Sequence, residues 1–156
     1  MKVALLRQSG YEVNQIKEKL IEAIRLLQIE NNFVKKGEKI LVKPNMAFGK
    51  HYSHHICTHP AVVRAICEIT SDYGGSVLIG DSPGFGSFLS AFKKSGYEEY
   101  LKDFKPVEFK EKAILNYDKG KIFRRFEIAK EFLEVDKVIN VAKFKTHGMM
   151  KLTLTM

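Results

Sequence analysis

The stretch Ser76-Val77-Leu78-Ile79-Gly80-Asp81-Ser82-Pro83-Gly84 changes character at its midpoint. Its first half is an apolar run suited to a strand buried on both faces. Its second half is glycine, carboxylate, hydroxyl, proline and glycine, which is turn chemistry. A buried strand emptying into small polar residues is how an open α/β sheet presents a site, because ligands settle outside the carboxyl ends of parallel strands. Two other stretches repeat the change. Ile40-Leu41-Val42 runs into Lys43-Pro44-Asn45, and Val138-Ile139-Asn140-Val141 runs into Lys143, Lys145, Thr146 and His147. The expectation is three strands whose ends face one crevice.

Working outward, residues 2–6 read as a first strand and residues 14–28 as an amphipathic helix with Asn14 at its cap, its apolar side formed by Ile16, Leu20, Ala23, Ile24 and Leu27. Gly37 breaks the chain before a strand over 39–42. Thr58-His59-Pro60 opens a second helix, with proline in the first turn where its missing N–H costs nothing. Val62, Ile66, Ile69 and Tyr73 are its expected apolar stripe, and Gly74-Gly75 ends it. Residues 87–94 and 98–102 read as short helices and 107–109 as a strand. Residues 114–117 and 122–128 read as a hairpin turning at Asp118-Lys119-Gly120, followed by a helical piece over 129–133 and a strand over 136–141. The alternation predicts an α/β fold with an open, mostly parallel sheet and flanking helices, Rossmann-like in three layers, left incomplete at this length, with a small β-hairpin insertion.

At 156 residues the chain suits one domain with a real core. No apolar run approaches the ~20 residues of a membrane helix, so no membrane partner is expected. The opening residues are too short for a signal peptide. Two cysteines, Cys57 and Cys67, fit a reducing compartment, and the expected location is cytoplasmic. The formal charge of +8 is spread among interleaved acids without an aromatic RNA-binding signature. That pattern argues against nucleic acid as the partner, although a basic nucleic-acid module is one alternative class.

The strand-end residues supply the candidate chemistry. Lys43, Asn45, Thr58, Ser82, Gly84, Asn140, Lys143, Lys145 and Thr146 are the expected ligand-binding residues for a small anionic molecule, with lysines and the helix start at Thr58-His59 neutralising its charge. Asp81 is an expected catalytic residue that orients a hydroxyl, a metal or a substrate ammonium, and it is expected to be replaceable without unfolding the protein. His147 and His59 are the expected proton carriers. His51, His54 and His55 with Cys57 have ligand-like spacing, but loop histidines lacking a supporting carboxylate are more often merely exposed, and no metal is expected. The alternative built on Asp81 and this histidine loop is a metal-dependent hydrolase or transferase.

In series, Lys43-Pro44-Asn45, Thr58-His59-Pro60, Gly80-Asp81-Ser82-Pro83-Gly84, and Asp136-Lys137-Val138-Ile139-Asn140 followed by Lys143, Lys145-Thr146-His147 and Leu152-Thr153 resemble the domain of unknown function 362 (DUF362). The resemblance implies an iron–sulfur or ferredoxin-type association and makes residues 1–156 the N-terminal portion of a longer domain of that type. No CxxC occurs here, so a 4Fe–4S cluster would belong to a further C-terminal module or a ferredoxin-like partner rather than to this chain. The unfinished sheet would leave an edge that a homo-oligomer could cover. The specific activity is not implied by the resemblance.

Overall fold

The computed structural model describes residues 2–148 and 151–153. In chain order the helices and strands are α1 (Val13–Leu27), α2 (Glu30–Phe33), β1 (Lys39–Pro44), α3 (Pro60–Asp72), β2 (Ser76–Ile79), α4 (Phe88–Lys94), α5 (Tyr97–Leu101), β3 (Lys105–Pro106), β4 (Lys112–Asn116), β5 (Arg125–Ala129), β6 (Lys137–Val141), β7 (Lys145–His147) and β8 (Lys151–Thr153). The main sheet has the order β3-β2-β1-β6 and is parallel throughout. Two small antiparallel pairs, β4–β5 and β7–β8, stand beside it.

β1 is the centre of the molecule. Ile40, Leu41 and Val42 are fully buried on a strand paired along both edges, by β2 and by β6. Ile40 and Val42 share one apolar cluster with Val63, Ile66 and Cys67 of α3, Phe88 and Phe92 of α4, and Tyr97 and Leu101 of α5. Ile16 of α1 packs with Ala61 and Ala65 of α3, so α1 lies against α3. The described helices thus build one side of the sheet. On the opposite face Leu41 lines up with Leu78 and Val138, and Val138 is exposed.

The three strands with polar exits form and pair as expected. Two other expected strands do not. Residues 2–6 are not a strand: Val3 and Leu5 are 80% and 94% exposed, and Ala4 and Leu6 border a depression shared with Ile16, Leu20 and Ala23 of α1. Alternation alone suits any extended segment lying on an apolar surface, with or without a ladder partner. The strand expected over 107–109 forms two residues earlier, where Leu78 and Ile79 pair with Lys105 and Pro106. α1 is flanked at its start by Glu12 rather than capped by Asn14, and its end turns at Gln28 in the left-handed region. On α3 it is Val63, not Val62, that is fully buried. The helical piece near 129–133 is a 3₁₀ turn over Lys130–Leu133. The final residues 154–156 lie outside the described residues.

One glycine fixes the exit of β2. A Cβ on Gly80 would lie 2.6 Å from the Phe109 ring and 3.0 Å from the Val107 carbonyl oxygen. The segment after β3 packs directly against the point where β2 becomes loop. Gly80→Ala should therefore cost about 1–3 kcal/mol, read from the urea midpoint. An unchanged midpoint would show that Phe109 has room to move aside.

Candidate functional site

Leaving β1, the chain crosses through α3 to β2 on one side, whereas β6 returns to the other side of β1. The strand order reverses between β1 and β6, and the carboxyl ends at such a reversal diverge into a crevice. Thr58 forms its floor. Its hydroxyl donates to the Val141 carbonyl at 2.7 Å and accepts from the Asn45 N–H at 3.0 Å. Its own N–H donates to the Asn45 carbonyl at 2.9 Å, and the buried Tyr97 hydroxyl donates to the Thr58 carbonyl. The residue expected to touch ligand is a buried tie between the β1 and β6 exits.

A second tie joins β1 to β2. Asp81 is buried; its Oδ1 lies 2.6 Å from Lys43 Nζ. Its Oδ2 accepts from the Met46 N–H at 2.8 Å. Lys43 and Asp81 neutralise one another across neighbouring strand ends, a pairing that charge and burial demand.

Lys145 is placed differently. Half-buried on β7, its Nζ donates to Asn45 Oδ1 at 2.9 Å and to the Ile56 carbonyl at 2.7 Å, both neutral acceptors. Burial, and with it the charge of Lys143, holds its ammonium below the usual lysine value. Lys143 is also half-buried and makes no ion pair or hydrogen bond among the described residues. A cavity of about 580 Å³ opens beside them, lined by Lys145, Thr146, His147, His54, His55 and Phe48. Two cations with no carboxylate in contact, next to imidazoles and an open cavity, make a place where an anion is electrostatically favoured.

His59 is the N-cap of α3. Its Nδ1 accepts from the Ala61 N–H at 3.2 Å, and its ring stacks on Tyr11 with centroids 3.6 Å apart. Burial, then the nearby Lys143 and His55, pushes its pKa down to about 4. It is neutral near pH 7, with its acceptor nitrogen committed to the cap.

The twelve expected site residues therefore divide. Lys145, Thr146 and His147 line the open cavity, with Asn45 bonded to Lys145 and Lys143 close enough to repel the Lys145 ammonium. Lys43, Asp81, Thr58 and His59 hold the strand ends and the helix start. Ser82 lines a separate depression of about 410 Å³ with Phe109, Glu108 and Lys110, and Gly84 bonds the Ala47 carbonyl through its N–H. Asn140 follows Val138 on the opposite sheet face and is exposed. The Ile56 carbonyl, Tyr97 and Tyr11 have no sequence signal, because a loop carbonyl and a buried hydroxyl acquire their roles only from tertiary neighbours.

The thiols do not fit a cluster of four thiolates. Cys57 and Cys67 are both free and buried. Burial raises the Cys57 thiol and pushes that of Cys67 up to about 12, so both stay protonated. Among the described residues no group of three or more His, Cys, Asp or Glu is placed to hold a metal ion.

Residues 40–156 match the family described as Domain of unknown function (DUF362). The chain belongs to this family. It is also similar to a thylakoid-associated protein, sll1697, of Synechocystis sp. (strain PCC 6803), at 32% identity over 154 residues. That match takes in 97% of this chain and 47% of the relative, so the chain spans about half of the relative's length. No solved structure matches. Among the described residues, no helix is long and apolar enough to cross a membrane. The DUF362 match takes in Lys43, Asn45, Thr58, Asp81, Lys143 and Lys145, whereas Tyr11 lies before it.

Two outcomes follow from the ties. Asp81→Ala leaves Lys43 without its partner and the Met46 N–H without an acceptor, and should destabilise the protein by about 2–4 kcal/mol in urea unfolding; wild-type stability would show the pair to be dispensable. For His59, the unfolded chain takes up a proton near pH 6.5 and the folded protein only near 4. Its contribution is full above pH 6.5 and is lost as pH falls towards 4. His59→Asn, which retains a capping acceptor, should flatten the decline of the thermal midpoint across that window.

Proposed function

We propose that this domain binds a small anionic molecule at the carboxyl end of its sheet, between the ends of β1 and β6. The observation that carries the reading is Lys145, a half-buried cation bonded only to neutral oxygens with Lys143 beside it. An anion there would relieve both the desolvation and the mutual repulsion of the two lysines. Thr146 can donate to a ligand oxygen, and His147 is assigned the proton-carrying role at the cavity edge. Lys43, Asp81, Thr58 and His59 are assigned to positioning. Phosphate and carboxylate are the ligand chemistries that two ammonium groups and a hydroxyl recognise.

The same proposal takes the 156 residues as a portion of a longer DUF362-type domain, in keeping with a relative of about twice the length. A redox or iron–sulfur role would then rest on a ferredoxin-like module or partner that supplies the cluster. The buried, unpaired thiols support a reducing compartment, with the cytoplasm as the proposed location.

Calorimetric titration with pyrophosphate and with citrate tests the site. One of them should bind with a single stoichiometric site, and Lys145→Ala and Lys143→Ala should each weaken it about tenfold while the circular dichroism spectrum stays unchanged. Binding by neither, or equal affinity in both variants, would remove the assignment.

A further inference from the structure

Residues 117–126, Tyr-Asp-Lys-Gly-Lys-Ile-Phe-Arg-Arg-Phe, form the far end of the β4–β5 ribbon. The two strands pair with one another and with no other strand among the described residues. Residues 114–119 and 121–127 are all exposed, so this end of the ribbon stands clear of the body. A two-stranded ribbon with solvent on both faces is marginal by itself in water.

Its side chains are nevertheless sorted. Leu115 lies opposite Phe126, and Tyr117 follows Leu115 on the same face. The other face carries the pairs Ile114–Glu127 and Asn116–Arg125. The turn is tight. The Tyr117 N–H donates to the Arg124 carbonyl at 2.8 Å and the Gly120 N–H to the Tyr117 carbonyl at 3.0 Å. A Cβ on Gly120 would meet the Phe123 carbonyl oxygen at 2.0 Å, so only glycine fits. The turn holds Ile122 and Phe123 outward at 86% and 68% exposure. Around them stand Lys119, Lys121, Arg124 and Arg125, against Asp118 in the turn and Glu127, which shares a face with Arg125 and is bonded to Lys112.

Adjacent large apolar side chains at a tip, collared by cations, call for a partner that is anionic outside and hydrocarbon within. A bilayer surface has that layering: apolar side chains enter the acyl boundary while the long stems of lysine and arginine keep their charges among the head groups. A polyanion such as nucleic acid matches the cations but gives Ile122 and Leu115 nothing comparable. We propose that the β4–β5 ribbon docks on a membrane surface bearing anionic lipid, with Ile122 and Phe123 inserted and Lys119, Lys121, Arg124 and Arg125 on the head groups. The expectation of no membrane partner rested on the lack of a spanning helix, which surface docking does not need.

The test is co-sedimentation of the whole chain with vesicles of equimolar phosphatidylglycerol and phosphatidylcholine, beside vesicles of phosphatidylcholine alone. The protein should pellet with the mixed vesicles only, and less so as salt is raised. Ile122→Asp with Phe123→Asp should lower the partition coefficient about tenfold or more. Lys119→Glu with Lys121→Glu should also lower it, whereas Lys93→Glu with Lys94→Glu, the same charge change at the end of α4, should leave it near wild type. If the aspartate variant fails to fold, the two lysine variants decide. No pelleting with either vesicle, or equal loss in both lysine variants, overturns the proposal. So does retention of RNA or DNA, or a dimer in light scattering, that depends on the tip while vesicles are ignored.

Discussion

The Thr58 hydroxyl sits where the sheet would otherwise come apart. At the reversal of strand order the exits of β1 and β6 must diverge, and their last backbone groups lose the partners that the ladder gives elsewhere. Donating to Val141 and accepting from Asn45, one side chain replaces those partners on both strands. Because it also begins the approach to α3 and receives the Tyr97 hydroxyl through its carbonyl, the same residue locks helix, loop and sheet together. The divergence stays open without leaving buried polar groups unpaired.

Around that tie the charges separate into two kinds. Lys43 and Asp81 cancel within the fold, and their work is finished when the fold forms. Lys145 is bonded to neutral oxygens at the edge of a cavity, with Lys143 near enough to repel it. Half-burying these two cations without an ion pair among the described residues costs folding stability. Membership of DUF362 is compatible with this division.

Much of the frame was legible from local chemistry. An apolar triplet that stops abruptly at lysine-proline-asparagine or glycine-aspartate is a buried parallel strand leaving the core, and each such stop lies where the pattern puts it. The cap of α3 was equally legible, since Thr58-His59-Pro60 offers acceptors and then a residue that needs no N–H partner. Residues 2–6 show the limit: period-two apolarity describes an extended chain on a greasy surface as well as a strand, and α1 rather than a neighbouring strand lies beneath it. At the site, residue types were readable but pairings were not. Lys43 and Asp81 are 38 positions apart in sequence, and nothing local says that they will meet, which is why Asp81 read as an available carboxylate. Whether a lysine is spent inside the fold or left open is a property of its tertiary neighbours alone.

The two cysteines give the molecule an internal clock. Cys67 is on α3, whereas Cys57 lies in the loop before it with its thiol donating to the Lys50 carbonyl, and both are covered in the same apolar core. Neither can be alkylated while covered, so each labelling rate counts the openings of its own surroundings. A thiol reagent added to the native protein would therefore distinguish motion of the crevice loop, seen at Cys57, from breathing of the whole sheet-and-helix core, seen at Cys67. An occupied crevice would slow the first rate selectively, and the chain would report its own occupancy without an attached probe.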